Sequence, residues 1–443
     1  MGIKGLPNLI KNKTGNYASK AYKFSKFKGI SIAIDASLMI HQTVIGIRAS
    51  GKDMENSKGQ LTSHLHGILY KSINFLENGQ KIIYVFDGKP PAIKSQTLSK
   101  RAAIKDTADK NLETLTDSDS EEYIKNFKKN FRPKNSDMKE AQILLDLMGI
   151  PYIIAPGEAD VVLAWLASRS GSDGKKYVKG VCSDDSDMLA FGSPYLFKNM
   201  LKFMNKNKEI YVISLKRTLE KMKLNMKQFV DLCVLLGTDN CKNLRGIGPD
   251  KAYELIHKVG SLEKILEQTK IKNDKRIVLN DKIRKRIPGY IENLSTPEVI
   301  KAKESKVQEK KRKIDDEANR SCMIPTRDYF LNAVTELDQS KDFVISDDQV
   351  NLRKCQSDEL IDFLCIKHEF DLDRIQKAVK RIELAHKKMG ITKENSKKVH
   401  RILLPKSQNQ IFFGDYSQVE FNSDSDSDSP VISKKNSSKK FTS

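Results

Sequence analysis

The sequence predicts an α/β fold, a mainly parallel central sheet flanked by helices, and three observations lead there. Short apolar runs rich in β-branched residues, Ile30–Ile34 and Ile82–Phe86, each stop at an aspartate, as buried strands do where they hand a side chain to an accessible edge. Between them Leu38–Arg48 and Ser63–Glu77 repeat apolar residues at helical spacing, so strands and helices alternate as a parallel sheet requires. The 443 residues exceed one compact domain, which implies a large body with appended segments.

Composition narrows the partners. A net charge of +21 points to a polyanion, and nucleic acid fits better than a membrane surface. No apolar run approaches the roughly 20 residues that span a bilayer. The opening M-G-I-K-G-L is expected to be neither a signal peptide nor an acylation signal, because Leu6 stands where the latter needs Ser or Thr. The six Cys form no C-x-x-C pair, which suggests a reducing compartment and no zinc site.

In chain order, the first strand delivers Asp35 and the second delivers Asp87, just before Gly88, Pro90 and Pro91 end it. From Ala92 to Lys134 hydrophobic residues thin out and charge dominates, so the segment reads as an exposed helical excursion. Lys94 and Arg101, seven apart, share one face of a helix there, either as a solvated face or as paired cations. After the amphipathic stretch Asn135–Met148, a third strand (Ile150–Ile154) runs into A-P-G-E-A-D. Its Glu158 and Asp160 open the apolar helix Val161–Ala167, where helix capping competes with a functional role. A fourth strand, Val178–Cys182, ends in S-D-D-S-D with Asp184, Asp185 and Asp187. Three carboxylates this close are costly without a cation to neutralise them. The helix Gln228–Leu236 leads through L-L-G-T-D, with Asp239, to R-G-I-G-P-D-K and a further helix. In that turn Arg245, Gly246, Gly248 and Lys251 suit either a grip on a phosphate backbone or an ordinary interhelical connection.

Lys270–Ile314 is strongly basic and reads as an extended, solvated arm; Asp358–Ile382 is a helix pair with an apolar stripe; after Lys387 the chain is a low-complexity tail. The acids Asp35, Asp87, Glu158, Asp160, Asp185, Asp187 and Asp239 gather at one sheet edge of a basic chain. Such a set suits two Mg2+ ions, with Mn2+ as a substitute, acting on a phosphodiester with Lys94 and Arg101 offsetting charge.

The motifs M-G-I-K-G-L, I-A-I-D-A-S, Y-V-F-D-G-K-P-P, A-P-G-E-A-D, S-D-D-S-D with F-G-S-P, and L-L-G-T-D with R-G-I-G-P resemble the flap endonuclease branch of the XPG-type structure-specific nucleases. The resemblance runs from Met1 to about His257 and resumes weakly over Asp358–Ile382. It implies a PIN-like body with a seven-stranded sheet, a helical arch, and a helix-two-turns-helix element that grips duplex DNA around a bound K+. It also implies that the seven acids are metal ligands, that Lys94 and Arg101 are catalytic, and that Gly2, His41, Arg48 and Glu158 contact DNA. The family cuts 5′ flaps, gaps and nicks in DNA replication and repair.

Some residues depart from the family pattern. Asp160 stands where Glu is customary, and His41 where a Tyr stacks on a base. S-K-G-Q (57–60) replaces a run of acids, which predicts tolerance of longer 3′ flaps. The tail's Q-N-Q-I-F-F, Gln408 to Phe413, is either a sliding-clamp (PCNA-like) box lacking its spacer or a chance cluster of aromatics.

The expected organisation is an N-terminal nuclease region (1–101), a helical arch (102–134), an internal nuclease region (135–260), a basic extended arm (261–345), a C-terminal helical segment (346–388) and a disordered tail (389–443). The protein is expected to act as a monomer inside the cell where DNA is replicated, in a nucleus or a viral replication compartment. Two other readings stand beside the flap endonuclease: a 5′ exonuclease or junction resolvase of the same superfamily, and a non-catalytic DNA-binding or clamp-tethered scaffold.

Overall fold

A computed structural model describes residues 2–89, 94–115, 120–202, 209–269, 297–341 and 343–391. Its centre is a seven-stranded mixed sheet in the order β1-β7-β6-β5-β2-β3-β4. These strands are β1 (Ser19–Tyr22), β2 (Ser31–Asp35), β3 (Lys81–Phe86), β4 (Tyr152–Ile154), β5 (Gly180–Cys182), β6 (Tyr195–Lys198) and β7 (Ile210–Ser214). The five strands from β6 to β4 are parallel, and β7 and β1 add an antiparallel margin.

Strand periodicity sorts the core. Ala33, Ile83 and Val85 face one layer, while Ile32, Ile34, Ile82, Tyr84 and Phe86 face the other, because successive side chains point to opposite sides. The first layer holds α1 (Leu6–Thr14), α7 (Ala159–Ser168), α8 (Asp187–Ala190), α9 (Leu215–Met222), α10 (Met226–Leu236), α11 (Pro249–Val259) and α12 (262–269). The second holds α2 (Ala36–Ile47), α3 (Ser63–Glu77) and α6 (Asn135–Leu147). Covering both faces is what a parallel sheet needs, and Tyr84 can be fully buried there because its hydroxyl pairs with Ser72 at 2.7 Å.

Between β3 and α6 the charged excursion forms two helices, α4 (Ser95–Thr114) and α5 (Glu121–Asn130), packed along each other. The C-terminal helix pair is present as α14 (Ser357–Ile361), a π-helical turn (Asp362–Lys367) and α15 (Leu372–Lys388), with Leu360, Leu364, Ile375, Val379 and Ile382 buried in the second layer.

The basic arm requires a correction. Pro297–Gln339 is one helix, α13, with Pro325 inside it, and its second half packs against α7 and α10. Met323, Thr326, Phe330, Ala333 and Leu337 are all buried and recur at three- and four-residue steps, an apolar stripe of helical period. The lysine-rich first half masks that stripe when the segment is averaged as a whole. Residues 270–296, the clamp-like box at Gln408 to Phe413 and the rest of the tail beyond 391 lie outside the described residues. No helix among the described residues is long and apolar enough to cross a membrane.

Candidate active site

Parallel pairing aligns the strand ends. Asp35 lies opposite Val85, Phe86 opposite Ile154, and Ile34 opposite Cys182, so the segments leaving β2, β3, β4 and β5 emerge at one edge. Asp35 closes β2 and caps α2, accepting from the Leu38 amide at 2.8 Å. Asp87, one residue past β3, accepts from the Ala159 amide at 3.0 Å and so caps α7 from another strand. Glu158 at the N-cap position of α7 makes no capping bond of its own, which leaves its carboxylate free for other work. After β5 the acids divide. Asp184 turns away and is held by Gln42 (2.9 Å), the Asn199 amide (2.8 Å) and Lys202 (2.5 Å). Asp185 and Asp187 stay at the edge, 8% and 4% exposed, with Asp185 accepting from the Asp187 amide at 2.9 Å.

All seven predicted acids share one electrostatic neighbourhood. Burial, then Asp87 and Asp185, raise the Asp35 carboxyl to about 7. Asp160 is raised well above the usual range by burial, against the pull of Lys94 and with the push of Asp185, Asp35 and Glu158. Asp187 is raised by burial and then by Asp185 and Asp239. Lys94 reaches in from the foot of α4 to pair with Glu158 and, at 3.7 Å, with Asp160. Burial would weaken its ammonium, but Asp160 and Glu158 outweigh that and hold its pKa above normal. Arg101 on α4 pairs with Asp239 at 2.9 Å.

The donor set fits a hard divalent cation. It consists of carboxylates alone, and Asp187 keeps one buried oxygen, Oδ1, without a hydrogen-bond partner. Among the described residues no three acidic, His or Cys side chains are grouped tightly enough to enclose an ion unaided. One neighbour escapes the sequence reading: Tyr329 of α13 donates to Glu158 Oε2 at 2.6 Å. Burial and the Glu158 charge push that hydroxyl far above its ordinary pKa. The heptad stripe around Phe330 was the available signal.

The predicted DNA-facing residues fare differently. Gly2 takes φ +83° against the acid loop, where a Cβ would come 2.1 Å from Asp185 Oδ1, so only glycine fits. His41 is half-buried beside Phe131, ring centroids 5.9 Å apart, and burial followed by Arg132 and Arg101 lowers its pKa. Arg48, carried over as a DNA contact, is turned inward. It is 8% exposed, forks onto Asp53 at 2.9 and 2.6 Å, donates to the Phe127 carbonyl and Asn130, and lies over the Phe127 ring. Between α10 and α11, Leu244 and Ile247 anchor the turn while Arg245, Gly246, Gly248 and Lys251 stay exposed. Gly246, at φ +74°, has open space around it, and Lys251 donates to its carbonyl at 3.0 Å. The loop at 57–60, which lacks acids of its own, receives one from afar: the Glu369 carboxylate accepts from the Ser57 amide and hydroxyl, both at 2.6 Å.

A doubly covered sheet with an acid-lined carboxyl edge, into which Lys94 and Arg101 of the α4 excursion reach, is the architecture of an XPG-type nuclease. The XPG N-terminal domain matches residues 1–108 and the XPG I-region residues 149–239. Flap endonuclease 1 of Phytophthora infestans is 34% identical over 395 residues, covering 86% of this chain and 88% of that protein. Flap endonuclease 1 of Homo sapiens is 40% identical over 269 residues, covering 60% and 69%. Among solved structures, flap endonuclease-1 from Methanococcus jannaschii superposes with a TM-score of 0.54 at 23% identity, covering 84% of this chain and 98% of that one. The catalytic core of Rad2 in complex with DNA substrate gives 0.56 at 19% identity, covering 86% and 100%. These two likenesses speak to the fold. This chain belongs to the flap endonuclease family of XPG-type nucleases.

Proposed function

We propose that the protein is a structure-specific 5′ flap endonuclease with 5′–3′ exonuclease activity, hydrolysing DNA phosphodiesters during replication and repair. The observation that carries this is the convergence of seven acids, three of them held above their usual pKa, in a chain of net charge +21. Asp35, Asp87, Glu158, Asp160, Asp185, Asp187 and Asp239 would hold two Mg2+ ions, with Mn2+ able to replace them. Bound there, the ions supply an activated water and charge neutralisation at the leaving oxygen. Lys94 and Arg101, now resting on Glu158 and Asp239, are placed to transfer those contacts to the scissile phosphate. The turn carrying Gly246 and Gly248 presents exposed backbone and two cations, Arg245 and Lys251, to a duplex phosphate run, and a K+ held at this turn would add positive charge there.

The same reading makes the protein a monomer on DNA, acting in a nucleus or a viral replication compartment. A sliding clamp would be met through Gln408 to Phe413. Tolerance of longer 3′ flaps would follow from S-K-G-Q at 57–60, although Glu369 returns one negative charge beside that loop. A ladder of 3′ flap lengths decides: equal or sharper discrimination than a relative's counts against the tolerance.

The test of the whole reading is cleavage of a 5′-labelled double-flap DNA in Mg2+, with EDTA and Asp187→Ala controls. A single cut near the flap junction, absent from both controls, is expected. Binding without cutting would favour the scaffold. Cutting of intact four-way junctions instead would favour the resolvase.

A further inference from the structure

Glu158 is held from two sides, and the two holds differ in kind. Its Oε1 pairs with Lys94, a long arm at the entrance to α4, whereas its Oε2 accepts from the Tyr329 hydroxyl at 2.6 Å, the length of a charge-assisted bond. The phenol is set in a packed frame. Its ring meets Phe191 edge-on at 5.6 Å, and the neighbouring Phe330 meets the same Phe191 at 4.7 Å. Phe191 directly follows α8, the short helix that begins with Asp187. Glu158 makes no capping bond to its own helix, whose first amide, that of Ala159, donates to Asp87 instead.

We propose that Tyr329 is a positioning residue for the nuclease reaction, its hydroxyl fixing one oxygen of Glu158 so that the other keeps its aim when Lys94 turns to the substrate. A glutamate has three rotatable bonds, and without a second anchor it would follow Lys94 or swing toward solvent once that ion pair breaks. α13 thus reaches the active site through this hydrogen bond. The inference rests on the nuclease reading above, and its test separates the two.

The test is Tyr329→Phe, which deletes the hydroxyl and keeps the ring on Phe191. Single-turnover flap cleavage is expected to slow about tenfold, the order of one hydrogen bond to a charged group. Mn2+ binding to the protein without DNA, read from the loss of the free-ion electron paramagnetic resonance signal, should weaken about tenfold. Flap affinity in Ca2+ should stay within about twofold and the melting temperature within about 2 °C, which a purely structural role would not allow. In a Glu158→Gln background, Tyr329→Phe should add no further loss of Mn2+ binding.

Wild-type rate and Mn2+ affinity in the single variant would overturn the proposal. So would losses that merely track a lower melting temperature, or a full additional loss in the Glu158→Gln background. If the wild type itself failed to cut flaps, the nuclease reading would fall, while the Mn2+ measurements would still decide the role of Tyr329.

Discussion

At the sheet edge seven acids face two long-armed cations. Beneath α3, on the far layer, a single acid faces several partners. Glu140 of α6 lies 3.2 Å from His64 Nε2, 3.6 Å from His368 Nε2 and 3.8 Å from Lys367. Burial would raise its carboxyl, but His64, His368 and Lys367 together hold it below the ordinary range. At the edge the outcome is reversed, and Asp35, Asp160 and Asp187 are all raised. A half-buried acid that its neighbours keep ionised stabilises the fold. Acids left in excess stay costly until something outside the chain answers them.

The sharpest way to break that comparison is Asp187→Ala. It should lower flap cleavage by about a thousandfold or more, the scale on which metal and electrostatic groups contribute to catalysis. In EDTA the same variant should melt no lower than the wild type, because it removes one of several crowded like charges. A clear drop would mean that the acids are structurally balanced after all.

Glu140→Ala should do the reverse. Losing the acid that His64, His368 and Lys367 share should cost about 2 kcal/mol of unfolding free energy by denaturant titration. Cleavage per folded molecule should be untouched.

Acidification gives a smaller and more gradual effect. Burial lowers His368 and His386 from 6.5 to about 4, so between those values the unfolded chain binds protons that the native one refuses. Stability should therefore fall as the pH drops from 6.5 toward 4, by up to about 1.4 kcal/mol per pH unit for each histidine. A flat profile over that window in chemical denaturation would show that the native protein accepts those protons freely.

Much of the site was legible because strand ends and acids sit together in the sequence. Y-V-F-D and I-A-I-D announce both a buried strand and the residue it delivers, and parallel pairing makes the rest follow. The strands β1, β6 and β7, which extend the sheet beyond β5, were not read from their residues, because none of them ends in an acid that would have marked it. Arg48 illustrates a different limit. Its position after α2 was evident, but its turn inward depends on Phe127 and Asn130 of α5, about eighty residues on.

The sequence by itself determined the alternating strands and helices, the acids at their ends and the excess positive charge. These depend on local spacing and composition, which survive in one dimension. Only the tertiary structure decided that Asp184 faces away from its neighbours, that Asp87 caps a helix belonging to another strand, and that Tyr329 reaches Glu158 across 171 positions of chain. Each of those outcomes is a contact between distant segments, set by how the helices pack on the sheet.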